Sequence, residues 1–382
     1  MSNYNPSLIK SIIYFSISLL FFLLTITYLD FYDENNNLVR PFDTKNSYET
    51  GDYDFYNESY QKFSAGDFNI VNQLRRSLSV VFLSLNNDQD LSENFYTEFW
   101  VSGPILPYLY HIFGYFDKQK FIYVLYIFLL FIANHLWSLS LPNSRLVHFM
   151  IFFLPAPIFY TQHISSEIPY YFLFSIFYFL YNRFSFNKPF PDYFYLFLVT
   201  LLAGLLRPNV LNLIPVLMIF VVFVRFSFYS RLIFLLTLLI TFILFFLYYY
   251  PYIMVSKIHS TQFTFFNESV ESILSGSFGY IWGLLKLIFF KILYFTGVRP
   301  SYSHSFDLGQ FVKLLPSIIF LIGFINSFFN GTKKDILLII FISFPILYGT
   351  SQDRYNLILQ PLLLYYGVKF ILSLYRKIRY SK

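Results

Sequence analysis

The chain is built from long apolar runs, each about as long as a helix must be to cross a membrane. A bilayer core about 30 Å thick takes roughly 20 helical residues. Only 13% of the residues are charged, whereas soluble domains carry about 25%, so the chain cannot cover a water-facing surface of its size. Since cysteine is absent, disulfide bonds and thiolate metal sites are excluded as well. These features exclude a soluble enzyme and predict an all-α polytopic membrane protein.

The apolar runs predict about ten transmembrane helices in a single membrane domain, residues 1–382. The predicted spans are 8–28, 121–141, 146–162, 167–183, 192–206, 209–227, 231–252, 311–329, 335–350 and 354–375. The stretches 103–116 and 276–296 are also apolar, but we expect both to be helices lying in the membrane interface.

The positions of lysine and arginine predict the orientation. The tail with Arg376, Lys377 and Arg379 is expected in the cytoplasm, because short cytoplasmic loops carry an excess of basic residues. The predicted spans then place Lys333–Lys334 and the N-terminus on the same side. A crossing at 276–296 would break this agreement. We therefore expect a multi-pass protein with cytoplasmic N- and C-termini. The absence of cysteine and of an evident retention signal fits the bacterial inner (cytoplasmic) membrane.

The largest predicted outer segment is the first extracytoplasmic loop, residues 29–98. It holds 13 of the 21 acidic residues of the chain against five basic ones, a net charge of −8. The second predicted outer loop, residues 253–310, includes the interfacial helix and His304. An acidic outer loop of this size predicts that the chemistry of the protein lies on the extracytoplasmic face.

Within the first loop, Asp52, Tyr56, Tyr60 and Phe63 recur at helical spacing and would share one face of a helix. Asp52 would stand near the helix N-terminus, where the helix dipole favours the ionised carboxylate. That position suits a general base at a membrane-surface cleft. It also suits an ordinary N-cap aspartate on a solvated helix.

Asp52 and Asp54 also form a short Asp-x-Asp pattern of the kind that binds divalent cations. Two carboxylates are too few to hold a hard cation without phosphate or further oxygen ligands. The pattern therefore predicts no resident metal or cofactor, and it leaves a divalent cation bound together with a phosphate open.

Charged residues are also predicted at the outer ends of several spans. Glu167 could accept a proton from a substrate hydroxyl or be a helix-start carboxylate in interfacial water. Arg207 lies outside, against the positive-inside trend, and could snorkel or hold a lipid phosphate by paired hydrogen bonds. Arg354 is predicted at the same level, where it could pair with Asp353 or join an anion site.

Other chemistries find little support in the sequence. The six histidines form no metal-binding pair at i,i+4 spacing, and no phosphate-binding glycine motif occurs. The net charge of +6 comes mostly from short loops between apolar runs, where basic residues report topology. We therefore expect no nucleotide site and no nucleic-acid partner.

Several segments occur in an order that resembles a known superfamily. They are Gly51-Asp52 with Tyr56, the Gly-Pro-x-x-Pro-Tyr stretch 103–108, Ser-Ser-Glu-Ile-Pro at 165–169, Ala-Gly-Leu-Leu-Arg-Pro-Asn at 203–209, and Arg354-Tyr355 before Pro361. In this the chain resembles the GT-C fold glycosyltransferases that use polyprenyl-phosphate sugars, close to family 39. That superfamily includes protein O-mannosyltransferases and lipid A aminoarabinose transferases.

The resemblance implies a GT-C-like bundle of about ten transmembrane helices with a catalytic first outer loop that contains interfacial helices. It implies a sugar donor on a polyprenyl phosphate in the bilayer and a lipid, glycan or protein acceptor. Asp52 or Asp54 would be the general base, and Asp30 and Asp33 are two further alternatives. Arg207 and Arg354 would bind the donor phosphate, and Tyr56, Glu167 and His304 would contact acceptor or sugar. Here Asp52-Tyr53-Asp54 replaces the Asp-Glu pair of the family.

Three other functions remain open at the sequence level. An O-antigen-type polysaccharide polymerase or ligase would use a lipid-linked oligosaccharide, although such proteins usually carry their largest outer loop later in the chain. A transporter would be expected to show internal repeats and midplane polar residues, which the sequence lacks. A non-catalytic membrane scaffold is the third, because the aspartate motif is altered.

Overall fold

The computed structural model describes residues 6–28, 61, 65, 74, 78, 105–112, 119–141, 145–161, 166–183, 190–223, 227–258, 261–298, 308–343 and 353–380. All regular secondary structure in this part of the chain is helical, which confirms the predicted all-α class. Asp30, Asp33, Asp52, Asp54, Tyr56 and His304 lie outside the described residues. The predictions made for them therefore stay predictions.

The helices follow one another along the chain, several of them with short connections. They are α1 (Leu8–Tyr28), α2 (Ile105–Ile112), α3 (Gln119–Ser140), α4 (Arg145–Phe152), α5 (Pro155–Tyr160), α6 (Glu167–Arg183), α7 (Phe190–Gly204), α8 (Val210–Phe223), α9 (Phe228–Ile258), α10 (Thr261–Leu274), α11 (Tyr280–Phe295), α12 (Leu308–Asn330), α13 (Lys333–Ser343) and α14 (Gln360–Tyr380). A 3-10 helix, Asp353–Leu359, leads directly into α14.

Within the described residues, three helical segments are long and apolar enough to cross a membrane. They are Phe121–Ser140, Phe228–Tyr250 and Asn356–Arg379. Shorter apolar helical segments are Leu8–Leu24, Arg145–Ile158, Tyr193–Gly204, Val210–Val222 and Leu315–Asn330. Large apolar side chains such as Phe128 and Ile240 remain exposed on the long helices, as contact with lipid requires. These features fit a membrane protein, and the number of crossings stays a prediction.

Two predicted spans differ from the observed helices. The predicted span 146–162 is divided into α4 and α5, because Pro155 has no backbone N–H and cannot continue the helix that precedes it. The predicted span 231–252 corresponds to α9, which continues without a break to Ile258. The second predicted outer loop is therefore helical from its start, and it also contains α10 and α11.

Helix α6 is largely buried and packs against α3 and α7. Its first five residues, Glu167 to Tyr171, are all buried, so no face of this first part of the helix is exposed to solvent. A helix buried all round belongs to the interior of a bundle. The Tyr171 hydroxyl donates a hydrogen bond to Asn134 Oδ1 on α3 at 2.9 Å, which sets the register between the two helices.

Helices α12 and α14 approach each other at glycine. A Cβ atom added at Gly323 would collide with the backbone oxygen of Leu363, and one added at Gly367 would collide with that of Ile319. Asn326 Nδ2 also donates to the backbone oxygen of Tyr366 at 2.9 Å. Small residues at helix crossings in membranes allow such close backbone contact.

One end of the bundle is held together by the carboxylate of Asp335. Its oxygens accept hydrogen bonds from the hydroxyls of Tyr178 at 3.0 Å, Tyr366 at 2.6 Å and Thr332 at 2.8 Å. Thr332 also accepts the Asp335 N–H at 3.2 Å, which caps the start of α13. The carboxylate thereby joins α6, α13 and α14 near the C-terminal end of α6. The N-terminus of α6 lies at the opposite end.

Candidate functional site

An ion pair stands at the N-terminus of α6. Arg207 Nη2 lies 3.1 Å from Glu167 Oε1. The side chain of Glu167 is 2% exposed and that of Arg207 is 14% exposed, so bulk water solvates neither charge well. A charge pair in such surroundings interacts more strongly than a surface pair, and removing either partner leaves the other charge poorly solvated.

Glu167 is placed by the start of its helix. Ser166, a residue type preferred at helix N-termini, accepts the Tyr170 N–H at its backbone oxygen at 3.0 Å and opens the first turn of α6. Glu167 is then the first residue of the helix, where the dipole favours a carboxylate. The helix end and Arg207 therefore both stabilise the ionised form of Glu167.

Arg207 is placed by a tight turn between α7 and α8. Its N–H donates to the backbone oxygen of Ala203 at 3.0 Å, and its own oxygen accepts from the Val210 N–H at 3.4 Å. The turn is fixed to α9 as well, because the Tyr249 hydroxyl donates to the backbone oxygen of Gly204 at 2.7 Å. Pro208 cannot continue a helix, so Arg207 stands in the turn between α7 and α8 and its side chain projects from that turn.

The segment 103–108 adjoins the same corner. The N–H of Ile105, at the start of α2, donates to the backbone oxygen of Leu205 at 3.2 Å, and Leu106 is fully buried. The contact joins two chain segments that are about 100 residues apart in the sequence. The described parts of three segments named for the resemblance thus meet at one place: 105–108, 166–169 and 203–209.

The 3-10 helix that includes Arg354 packs against α5, α6 and α11. Asn356, within this helix, donates from Nδ2 to the backbone oxygen of Phe295 at the end of α11, and accepts from Gln360 Nε2 at 2.8 Å. Since α5 immediately precedes the start of α6, the backbone of Arg354 belongs to the same end of the bundle as the ion pair. The grouping of the Arg354 side chain with Arg207 stays a prediction.

Tyr170 is a residue that sequence reasoning missed. It follows Glu167 by three positions, so both side chains leave the same face of α6. Its ring is 1% exposed, and the charge of Arg207 acts electrostatically on its hydroxyl. Within the part of the chain that the structure describes, that hydroxyl has no hydrogen-bond partner. The Glu-x-x-Tyr spacing at a predicted helix start was the signal that could have identified it.

A second polar cluster lies between α1, α3 and α4. Ser11 Oγ is 2.9 Å from His135 Nδ1 and 2.9 Å from His148 Nε2, and Ser11 and His148 are both fully buried. The search for i,i+4 histidine pairs missed it, because the two histidines come from different helices. Its hydroxyl and imidazoles satisfy one another, which suits the attachment of α1 to the bundle.

The arrangement at Arg207 can bind an anion. A guanidinium carries five N–H donors in a plane, so it can contact more than one oxygen of an anion. Among the described residues, no group of three or more His, Cys, Asp or Glu side chains could hold a metal ion. The divalent cation left open for Asp52 and Asp54 lies outside these residues and stays open.

Comparison with known proteins finds no match: no family model, no curated protein and no solved structure matches the chain. The GT-C resemblance drawn from motif order therefore remains a prediction. What the described residues contribute is the geometry at the N-terminus of α6, where a buried carboxylate, a mostly buried arginine and a buried phenol come together.

Proposed function

We propose that this protein is a membrane glycosyltransferase that moves a sugar from a polyprenyl-phosphate donor to an acceptor hydroxyl on the extracytoplasmic face. The observation that carries the proposal is the Glu167–Arg207 pair, since it holds a guanidinium at the point where the segments 105–108, 166–169 and 203–209 meet. An arginine held in place at the end of an apolar bundle suits a phosphate on a lipid.

The proposed reaction uses the arginines and a carboxylate of the first outer loop. Asp52 takes the proton of the acceptor hydroxyl as its oxygen attacks the anomeric carbon of the sugar. The bond between that carbon and the phosphate oxygen breaks, and its electron pair stays with the polyprenyl phosphate. Arg207 and Arg354 stabilise the charge that develops on the leaving phosphate. In the proposed assignment, Tyr56 and His304 orient the sugar or acceptor.

Glu167 takes a different role in this scheme from the one that its sequence position suggested. Its carboxylate is 2% exposed and pairs with Arg207, so a sugar hydroxyl would have to displace the arginine to reach it. We propose that Glu167 holds Arg207 in place and neutralises it while no phosphate is bound. The remaining expectations belong to the same proposal: about ten spans, a bacterial inner membrane and cytoplasmic termini.

The test is a transfer assay with purified protein, radiolabelled polyprenyl-phosphate monosaccharides and membrane extract as acceptor. We expect Asp52→Asn to abolish transfer, because the variant cannot accept the hydroxyl proton, while Asp88→Asn in the same loop retains it. Arg207→Ala should chiefly raise the donor concentration that is required for half-maximal transfer. Adding a chelator to the wild type would report whether a divalent cation takes part.

Two outcomes would change the proposal. If Asp54→Asn rather than Asp52→Asn abolishes transfer, Asp54 is the base. If no monosaccharide donor is used but a lipid-linked oligosaccharide is, the protein is a polysaccharide polymerase or ligase, and the donor class proposed here is wrong.

A further inference from the structure

We infer that the Tyr170 hydroxyl is a second hydrogen-bond donor of the anion site at Arg207, and that it binds an oxygen of a phosphate monoester. The phosphate class rests on the proposed function, whereas the donor itself rests on geometry. Tyr170 is one helical turn from Glu167, Glu167 pairs with Arg207, and the charge of Arg207 acts on the Tyr170 hydroxyl.

The Tyr170 hydroxyl is buried without a hydrogen-bond partner among the described residues, which is energetically unfavourable. Its residue is 1% exposed, and among the described residues no group accepts its proton or donates to it. Buried polar groups are nearly always paired, and each exception calls for an explanation. A ligand oxygen that arrives beside Arg207 would supply the missing partner, so the unmet hydrogen bond is accounted for by the bound state.

The next residue on α6 provides a matched comparison. Tyr171 is equally buried, but its hydroxyl donates to Asn134 Oδ1 at 2.9 Å. The two tyrosines occupy the same helix turn and differ in whether their hydroxyls already have a partner in the described residues. Tyrosine-to-phenylalanine substitution at each position removes one oxygen atom and otherwise keeps the ring and its packing.

The two substitutions should have opposite effects on stability, and only Tyr170→Phe should weaken binding. In the unliganded protein, Tyr170→Phe should raise the melting temperature by about 1–3 °C, because it removes a buried hydroxyl without a partner. The same variant should bind farnesyl phosphate about fivefold to tenfold more weakly, the loss of one hydrogen bond. Tyr171→Phe should lower the melting temperature and leave binding unchanged.

The experiment is thermal unfolding and binding titration of the detergent-purified full chain with farnesyl phosphate, farnesol and inorganic phosphate. Weaker binding of farnesyl phosphate together with a higher melting temperature in Tyr170→Phe supports the inference. Binding of inorganic phosphate alone would identify a free anion as the ligand, whereas binding only of farnesyl phosphate identifies a lipid-linked one.

Failure of the inference and failure of the proposed function can be told apart. If the wild type binds farnesyl phosphate and Tyr170→Phe binds it equally well, Tyr170 is not a donor although the phosphate site stands. If Tyr170→Phe lowers the melting temperature, its hydroxyl already has a partner in the unliganded protein, and the inference is wrong. If the wild type binds farnesol as tightly as farnesyl phosphate and does not bind inorganic phosphate, both the inference and the phosphate site are wrong.

Discussion

At the scale of single residues, the pairing of Glu167 with Arg207 changes how each is understood. In the sequence, Arg207 could snorkel to the membrane surface and Glu167 could stand in interfacial water. The distance of 3.1 Å and the exposure of 2% for Glu167 show that neither description fits. The pair is a mostly buried contact between α6 and the turn after α7, so each side chain depends on the other.

This dependence predicts a non-additive double-mutant cycle. Glu167→Gln should lower the free energy of unfolding by about 2–4 kcal/mol, because it leaves the charge of Arg207 in a site with little water. Arg207→Gln should cost a similar amount, and the double variant should lose clearly less than the sum of the two. Glu268→Gln, at an exposed glutamate of α10, is the control and should have little effect. Additive losses would mean that the two charges do not interact.

At the scale of helices, two of the contacts within the bundle are made by small and polar residues. The α12–α14 contact depends on Gly323 and Gly367, and the contact of α6 with α13 and α14 depends on the Asp335 carboxylate. Between membrane helices, apolar side chains gain little from leaving lipid, so close packing and hydrogen bonds decide which helices pair. The apolar runs predicted the helices well, but they contained no information on these partners.

Gly323→Ala should therefore strongly disturb the pairing of α12 with α14. The added Cβ would meet the backbone oxygen of Leu363, and backbone cannot move aside as a flexible side chain can. We expect a loss of several degrees in melting temperature, on the order of 1–3 kcal/mol in unfolding free energy. Gly279→Ala is the control, because nothing lies within 4 Å of its Cβ position. Equal effects of the two variants would show that the close contact at Gly323 is not formed.

At the scale of the whole molecule, the lengths of the apolar helices bear on the predicted topology. Three helical segments of the described residues are long and apolar enough to cross alone, and the shorter apolar helices would need tilt, kinks or local thinning of the bilayer. The predicted orientation places Lys333 and the C-terminus inside. It also places both ends of α11 outside, since the 276–296 stretch is predicted not to cross.

The absence of cysteine allows a direct test of this topology, since each introduced thiol would be the single one in the chain. In intact cells, Ser275→Cys and Val298→Cys should both react with a membrane-impermeant maleimide. Lys333→Cys and Ser381→Cys should react only after the membrane is opened. If Ser275→Cys and Val298→Cys react from opposite sides, α11 crosses the membrane, and the predicted count and orientation must be revised.

The sequence alone determined the class of the protein and most of its helix positions. Apolar runs of the length of a bilayer specify helices, as the agreement of α1 with the predicted span 8–28 illustrates, because backbone groups in lipid must bond within their own segment. The prolines were informative too, since Pro155 is the first residue of α5 and Pro208 lies in the turn between α7 and α8.

The tertiary structure alone decided which residues meet. Glu167 and Arg207 are 40 positions apart, and Ser11 is 124 and 137 positions from the two histidines that it contacts. Tyr170 looked like one of many tyrosines in an aromatic chain until its burial and its neighbours were known. Periodicity describes one helix at a time, whereas a site forms where several helices pack, and that packing depends on shape and on hydrogen bonds that no local pattern records.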